Sequence, residues 1–130
     1  MNDSSWKDFF QICSQTLGKG SQSEYLSESW CSWTTYSRLG LDAQYWASGI
    51  PSMDDIADTH IKDGSVWGQP FAYDEIAHVI IPKQFFWEKR SDGDYESGIK
   101  SQNIEQLSLE LQNADIEHRL TDLMLEVKCY

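Results

Sequence analysis

Three histidines stand where a side chain could do chemistry, and each has a carboxylate, a hydroxyl or an apolar wall near it in sequence. Asp54, Asp58 and His60 offer oxygen and nitrogen ligands, and positions four apart share a helix face. Their spacing matches no known metal loop, and Asp54 and Asp55 are equally at home in the positive first turn of a helix, so no metal is expected. His78 lies inside an apolar run, where a satisfied core or edge histidine is the plainer reading. In His118-Arg119-Leu120-Thr121-Asp122, alternation sets His118 on the Leu120 side and Arg119 on the other, so only a bulge would gather them.

General acid–base work needs a histidine and a carboxylate in one cleft, and no spacing here brings them together. Nucleophilic chemistry lacks a G-x-S-x-G turn, and only Cys129, beside Lys128, has a basic neighbour. Gly18-Lys19-Gly20-Ser21 is too short to cradle a phosphate, since the preceding strand and first glycine are missing. Cys13, Cys31 and Cys129 are an odd, widely spaced set and read as free thiols in a reducing compartment. No catalytic residue, metal or cofactor is therefore expected.

The elements that must position these residues follow from periodicity. Ile76 to Trp87 is the most apolar stretch. Its β-branched run, stopped by Pro82 and resumed by Phe85, Phe86 and Trp87, predicts a central strand buried on both faces. Trp6, Phe9, Phe10, Cys13 and Leu17 recur at helical spacing and predict a helix over about 5–17, capped by Asp3, Ser4 or Ser5 and ended by Gly18. Ser21-Gln22-Ser23-Glu24 looks like a capping box and Trp30–Tyr36 like a strand, so a short helical start leading into a strand or an irregular aromatic stretch is expected over 19–40. Pro51 to Gly64 reads as a short helix capped by Ser52, with Met53, Ile56 and Ala57 inward.

Asp92-Gly93 marks a hairpin turn. Ile104, Leu107 and Leu111 predict a helix over about 102–113, for which Ser101 is a cap. Two alternating runs, Ile116–Leu120 and Leu123–Cys129, predict two strands or one strand bulged at Thr121-Asp122, with the last near 123–129. The expected fold is α+β or α/β, one domain over residues 1–130, with a single-layer central sheet packed against the N- and C-terminal helices.

Charge is the other signal. The chain has 21 acidic and 10 basic residues, net −11, and residues 42–75 carry −6 of it, with Lys62 as their lone base. Tyr45, Trp46, Trp67, Phe71 and Tyr73 interleave with those acids. Aromatic anchors inside a charged rim are the composition of a protein-binding surface; the plainer alternative is a solvated acid run beside core tryptophans. Such a charge repels phosphate backbones and anionic membranes, so neither nucleic acid nor membrane is an expected partner. The first residues have no basic and then apolar pattern of an export signal, and no apolar run approaches a membrane span, so a cytoplasmic protein is expected.

A short, strongly acidic, tryptophan-rich chain without a catalytic signature resembles the immunity proteins that bacteria encode beside contact-dependent or other polymorphic toxins. The resemblance implies a partner protein, a toxic domain that is often a basic nuclease, and a role as a plug for its active site or substrate-binding face. The partner-binding residues expected on the acidic aromatic segment are Tyr45, Trp46, Asp54, Asp55, Asp58, Asp63 and Trp67, on a monomer or weak homodimer. Two rivals are an oligomeric regulatory or scaffolding subunit that pairs through an edge strand at Leu123–Tyr130, and a small metal-independent enzyme using His118 or His60, which would need a ligand-sized pocket around those side chains.

Overall fold

The computed structural model describes residues 1–42, 44–62 and 66–130. Helix α1 spans Asp3–Leu17 and buries Trp6, Phe9, Phe10 and Cys13, the stripe its spacing predicts. Its cap is Asn2, one residue before the expected candidates: the Asn2 side-chain oxygen accepts from the Ser5 N–H at 2.8 Å, satisfying a donor the helix leaves free. Gly18, at φ 100°, ends the helix in a conformation that favours glycine. Helix α3, Ile104–Asn113, is capped by Asn103 rather than Ser101 and buries Ile104, Leu107 and Leu111.

Both helices pack on one face of a five-stranded antiparallel sheet. Its strands are β1 (Cys31–Thr35), β2 (Trp46–Ser48), β5 (Ile76–Pro82), β8 (Arg119–Leu120) and β9 (Met124–Lys128), in the order β2-β1-β5-β9-β8. The fold is α+β, with the apolar strand β5 at the centre as expected. Cross-strand pairs Trp33–Val79, Val79–Val127 and Ile81–Leu125 place these side chains on one face, where they join the α1 and α3 stripes in one buried cluster. Pairs Thr34–His78, His78–Lys128 and Ile80–Glu126 define the opposite face.

Four expectations need correction. The strand expected over 76–87 is cut at Lys83. Its second half, β6 (Gln84–Ser91), leaves the sheet and pairs with β7 (Asp94–Ser101) in a separate two-stranded ribbon. Pro82 has no N–H to give a ladder, and the Lys83 backbone is taken by other segments: its N–H donates to the Leu123 carbonyl at 2.8 Å and its carbonyl accepts from Gln102 at 2.7 Å. Phe86 then faces outward, 56% exposed. The ribbon closes through Asp92 and Gly93, with φ 41° and 86°, the left-handed pair that a tight hairpin turn requires.

The helix expected over Pro51–Gly64 is also absent from the described part of that stretch. A single 3-10 turn, Met53–Asp55, leads into extended chain, where Ile56 bridges Ile61 and β3 (His60–Ile61) pairs with β4 (Phe71–Ala72). Ile56 and Ile61 are both buried, and residues five apart lie about 140° apart around a helix, so extended chain serves both where a helix would not. Gly64, the expected terminator, lies outside the described residues.

Ser21-Gln22-Ser23-Glu24 starts no helix either. It belongs to a loop of turns in which Ser27 Oγ accepts from the Ser21 N–H at 2.8 Å and donates to the Ser29 carbonyl. The Lys100 ammonium, on β7, donates to the carbonyls of Glu24, Tyr25 and Ser27 at 3.0, 2.7 and 2.8 Å and fastens this loop to the ribbon. The strand expected over Trp30–Tyr36 is present as β1, followed by the one-turn helix α2 (Tyr36–Leu39).

Finally, the C-terminal stretch forms two strands separated by a turn, the first of the two alternatives, but β9 is not an edge. It has β5 along one side and β8 paired to Leu125 and Glu126 on the other, so only the part beyond Glu126 is left unpaired on that second side.

Candidate partner-binding cleft

At the β2 side of the sheet, the start of α1, strand β2, the β3–β4 hairpin and the 3-10 turn Tyr73–Glu75 enclose a cleft of about 570 Å³. Its charged lining residues are Asp3, Asp74 and Glu75, and among the described residues no lysine or arginine lines it. Asp74 and Glu75 are exposed because the turn buries Tyr73 and sends the next two side chains outward. Trp46 and Phe71 form an aromatic part of the wall, with ring centroids 5.0 Å apart. The Arg38 guanidinium lies over the Trp46 ring, 4.2 Å from its centroid.

The Tyr73 hydroxyl donates to the Ala57 carbonyl at 2.7 Å. Burial, and after it the negative charges of Asp3 and Asp58, hold that hydroxyl in its protonated form well above the usual tyrosine range. Asp58 itself is bound by Lys7 of α1. The Lys7 hydrogen bond and then its charge pull the Asp58 carboxyl below the usual carboxylate range.

The structure divides the residues expected at a partner face. Trp46 lines the cleft, and Asp58 stands beside the lining residues Thr59 and His60 but is engaged by Lys7. Asp54 and Asp55 sit in the Met53–Asp55 turn outside the cleft, where Asp55 accepts from the Ser52 hydroxyl at 3.2 Å. Asp63 lies outside the described residues.

Tyr45 points its hydroxyl to His78 Nδ1 at 2.7 Å, and burial, then the neighbouring Tyr130 and Glu126, push that hydroxyl up to about 12. Trp67 is 5% exposed and donates from Nε1 to the Gly49 carbonyl at 3.2 Å, so it belongs to the core. Sequence reasoning missed Asp3, which it read only as a cap. It counted Asp74 and Glu75 within the acidic segment without singling them out.

Two of the histidines do line clefts of ligand size. His60 lines the acidic cleft, and His118 lines a second one of about 480 Å³ at the end of the sheet, with Asp74 shared between the two. His118 is already satisfied on both nitrogens. Nδ1 donates to the Ile116 carbonyl at 2.8 Å, which leaves Nε2 to accept from the Ser108 hydroxyl at 2.7 Å. That serine is 2% exposed, so this pair ties α3 to the chain before β8 and presents no nucleophile. Among the described residues, neither His60 nor His118 has a carboxylate within ion-pair distance, and no three His, Cys, Asp or Glu residues gather as a metal-holding group.

Architecture and cleft together define an α+β domain with an acid-lined, part-aromatic depression. Comparison with protein-family models, with curated proteins and with solved structures finds no match. No helix among the described residues is long and apolar enough to cross a membrane.

Proposed function

We propose that the protein is a cytoplasmic inhibitor of the immunity type, which binds a basic toxin domain and covers the surface that domain uses for its substrate. One observation carries the reading: Asp3, Asp74 and Glu75 converge on a cleft that none of the described lysines or arginines lines. A nuclease must present Lys and Arg to hold phosphate, and carboxylates set around an aromatic wall compete for those groups. Trp46 and Phe71 add aromatic contact area beside the carboxylates. The net charge of −11 steers a basic partner toward the protein and keeps nucleic acid away. The face therefore centres on Trp46, Asp74 and Glu75, with Asp58 at its margin.

The test is calorimetric titration with the toxin-like domain encoded beside its gene, at low and at high salt, for the native protein and for Asp74→Lys with Glu75→Lys. The reading requires affinity that falls with salt and with the charge reversal. Affinity indifferent to both would remove it.

A further inference from the structure

The second cleft, about 480 Å³ at the end of the sheet, has a different chemistry from the acidic one. Glu126 of β9 lines it, although its side chain is only 7% exposed and alternation along the strand predicts an outward residue. His78 Nε2 stands 3.4 Å from the Glu126 Oε1, which is long for a hydrogen bond, and that nitrogen is buried without a hydrogen-bond partner. Burial, first of all, holds His78 below the usual histidine range, so at neutral pH it brings no charge to compensate Glu126. Two of the chain's own cations, Arg119 and Lys128, also line this cleft, but neither is paired with Glu126. Lys128 sits over the Tyr130 ring at 4.6 Å. A carboxylate taken out of water without a counter-charge is costly, and the cleft gives a cation a route to it.

We propose that this cleft binds a ligand through an alkylguanidinium or alkylammonium group, held by the Glu126 carboxylate with the Tyr36 and Tyr130 rings as walls. The inference does not rest on the partner face: the two clefts share Asp74, but Glu126 lines only the second. Guanidinium is the better fit of the two, because its planar faces stack on tyrosine while its edge pairs with a carboxylate.

Methylguanidinium and its neutral isostere methylurea are titrated into the native protein and followed by amide NMR shifts. Saturable shifts at Glu126, Lys128 and Tyr130 with methylguanidinium alone are expected. Glu126→Gln keeps the shape and removes the charge, and should bind methylguanidinium about tenfold more weakly. Agmatine and a blocked tripeptide with a central arginine then separate a free amine from a protein side chain, according to which binds more tightly. Equal shifts with methylurea, or shifts spread without saturation over the acidic surface, overturn the proposal, and so does a folded Glu126→Gln protein that binds as the native one does. The native comparison stands even where the variant does not fold. Charge reversal at Glu75, which lines the acidic cleft and not this one, tests the partner face separately.

Discussion

Trp67 lies flat on Trp33, with ring centroids 3.7 Å apart and planes 6° from parallel. The edges of Phe10 and Phe71 close on Trp67 at 5.2 and 5.4 Å, so the stack is the centre of an aromatic cluster that joins α1 to the sheet. Trp67→Ala should cost about 3–5 kcal/mol of stability, the range for emptying a large aromatic site in a packed core. Denaturant unfolding measures the loss. A cost within about 0.5 kcal/mol, as at a surface position, would contradict the burial of Trp67.

The two halves of the acidic segment should separate in binding. Asp74→Lys with Glu75→Lys reverses charge at the cleft, whereas Asp54→Lys with Asp55→Lys reverses it on a turn outside. The first pair should slow association with a basic toxin domain by about tenfold or more at low salt and the second by much less, read by stopped-flow mixing. Equal effects would mean that net charge alone governs association.

Burial, the largest influence on His78, depresses its affinity for a proton in the folded state, so the unfolded chain binds that proton more readily. The contribution of His78 to stability should therefore be fully present above about pH 6.5, the free histidine value, and should be lost as the pH drops below it. The loss attributable to His78 is complete once the pH is below its folded value. His78→Gln should flatten the slope of unfolding free energy between about pH 6.5 and about pH 5, above the range where most carboxylates titrate. A native protein whose stability rises through that interval on acidification would refute the assignment.

Gly20 and Gly49 touch each other's neighbourhoods across the loop at residues 20–29. A Cβ on Gly49 would lie 2.4 Å from the Ser21 nitrogen, and one on Gly20 would lie 2.2 Å from the Ile50 carbonyl oxygen. Backbone, not a movable side chain, is the obstacle in both cases. Gly49→Ala should destabilise by about 1–3 kcal/mol, visible as a lowered Tm, while Gly93→Ala meets no atom within 4 Å and is penalised only by its positive φ.

Both long helices and the central strand were legible because their signals are local. Trp6, Phe9, Phe10 and Cys13 repeat at a spacing that only a helix can bury on one side, and the β-branched run through Ile81 suits only a strand inside a sheet. The break at Lys83 was not legible, since it depends on Leu123 and Gln102 claiming the Lys83 backbone from 40 and 19 residues away. The loop at Ser21–Ser29 hid for the same reason, as its organiser, Lys100, lies on a distant ribbon. At the cleft, sequence reasoning found the acidic segment but favoured Asp54, Asp55, Asp58 and Asp63 over Asp74 and Glu75. It passed over Asp3, which reaches the cleft only because α1 packs beside the Tyr73–Glu75 turn. Alternation along the last strand sets Glu126 opposite Leu125 and Val127 but is blind to what Tyr45 and Tyr130 place over that face.

The clasp between Lys100 and three carbonyls holds by charge and dipole, whereas the core beneath it holds mainly by exclusion of water. Cooling weakens the second kind of attachment and spares the first. Near freezing, where the apolar interior is losing its grip, the loop and the ribbon should remain joined as the last parts of the molecule to let go.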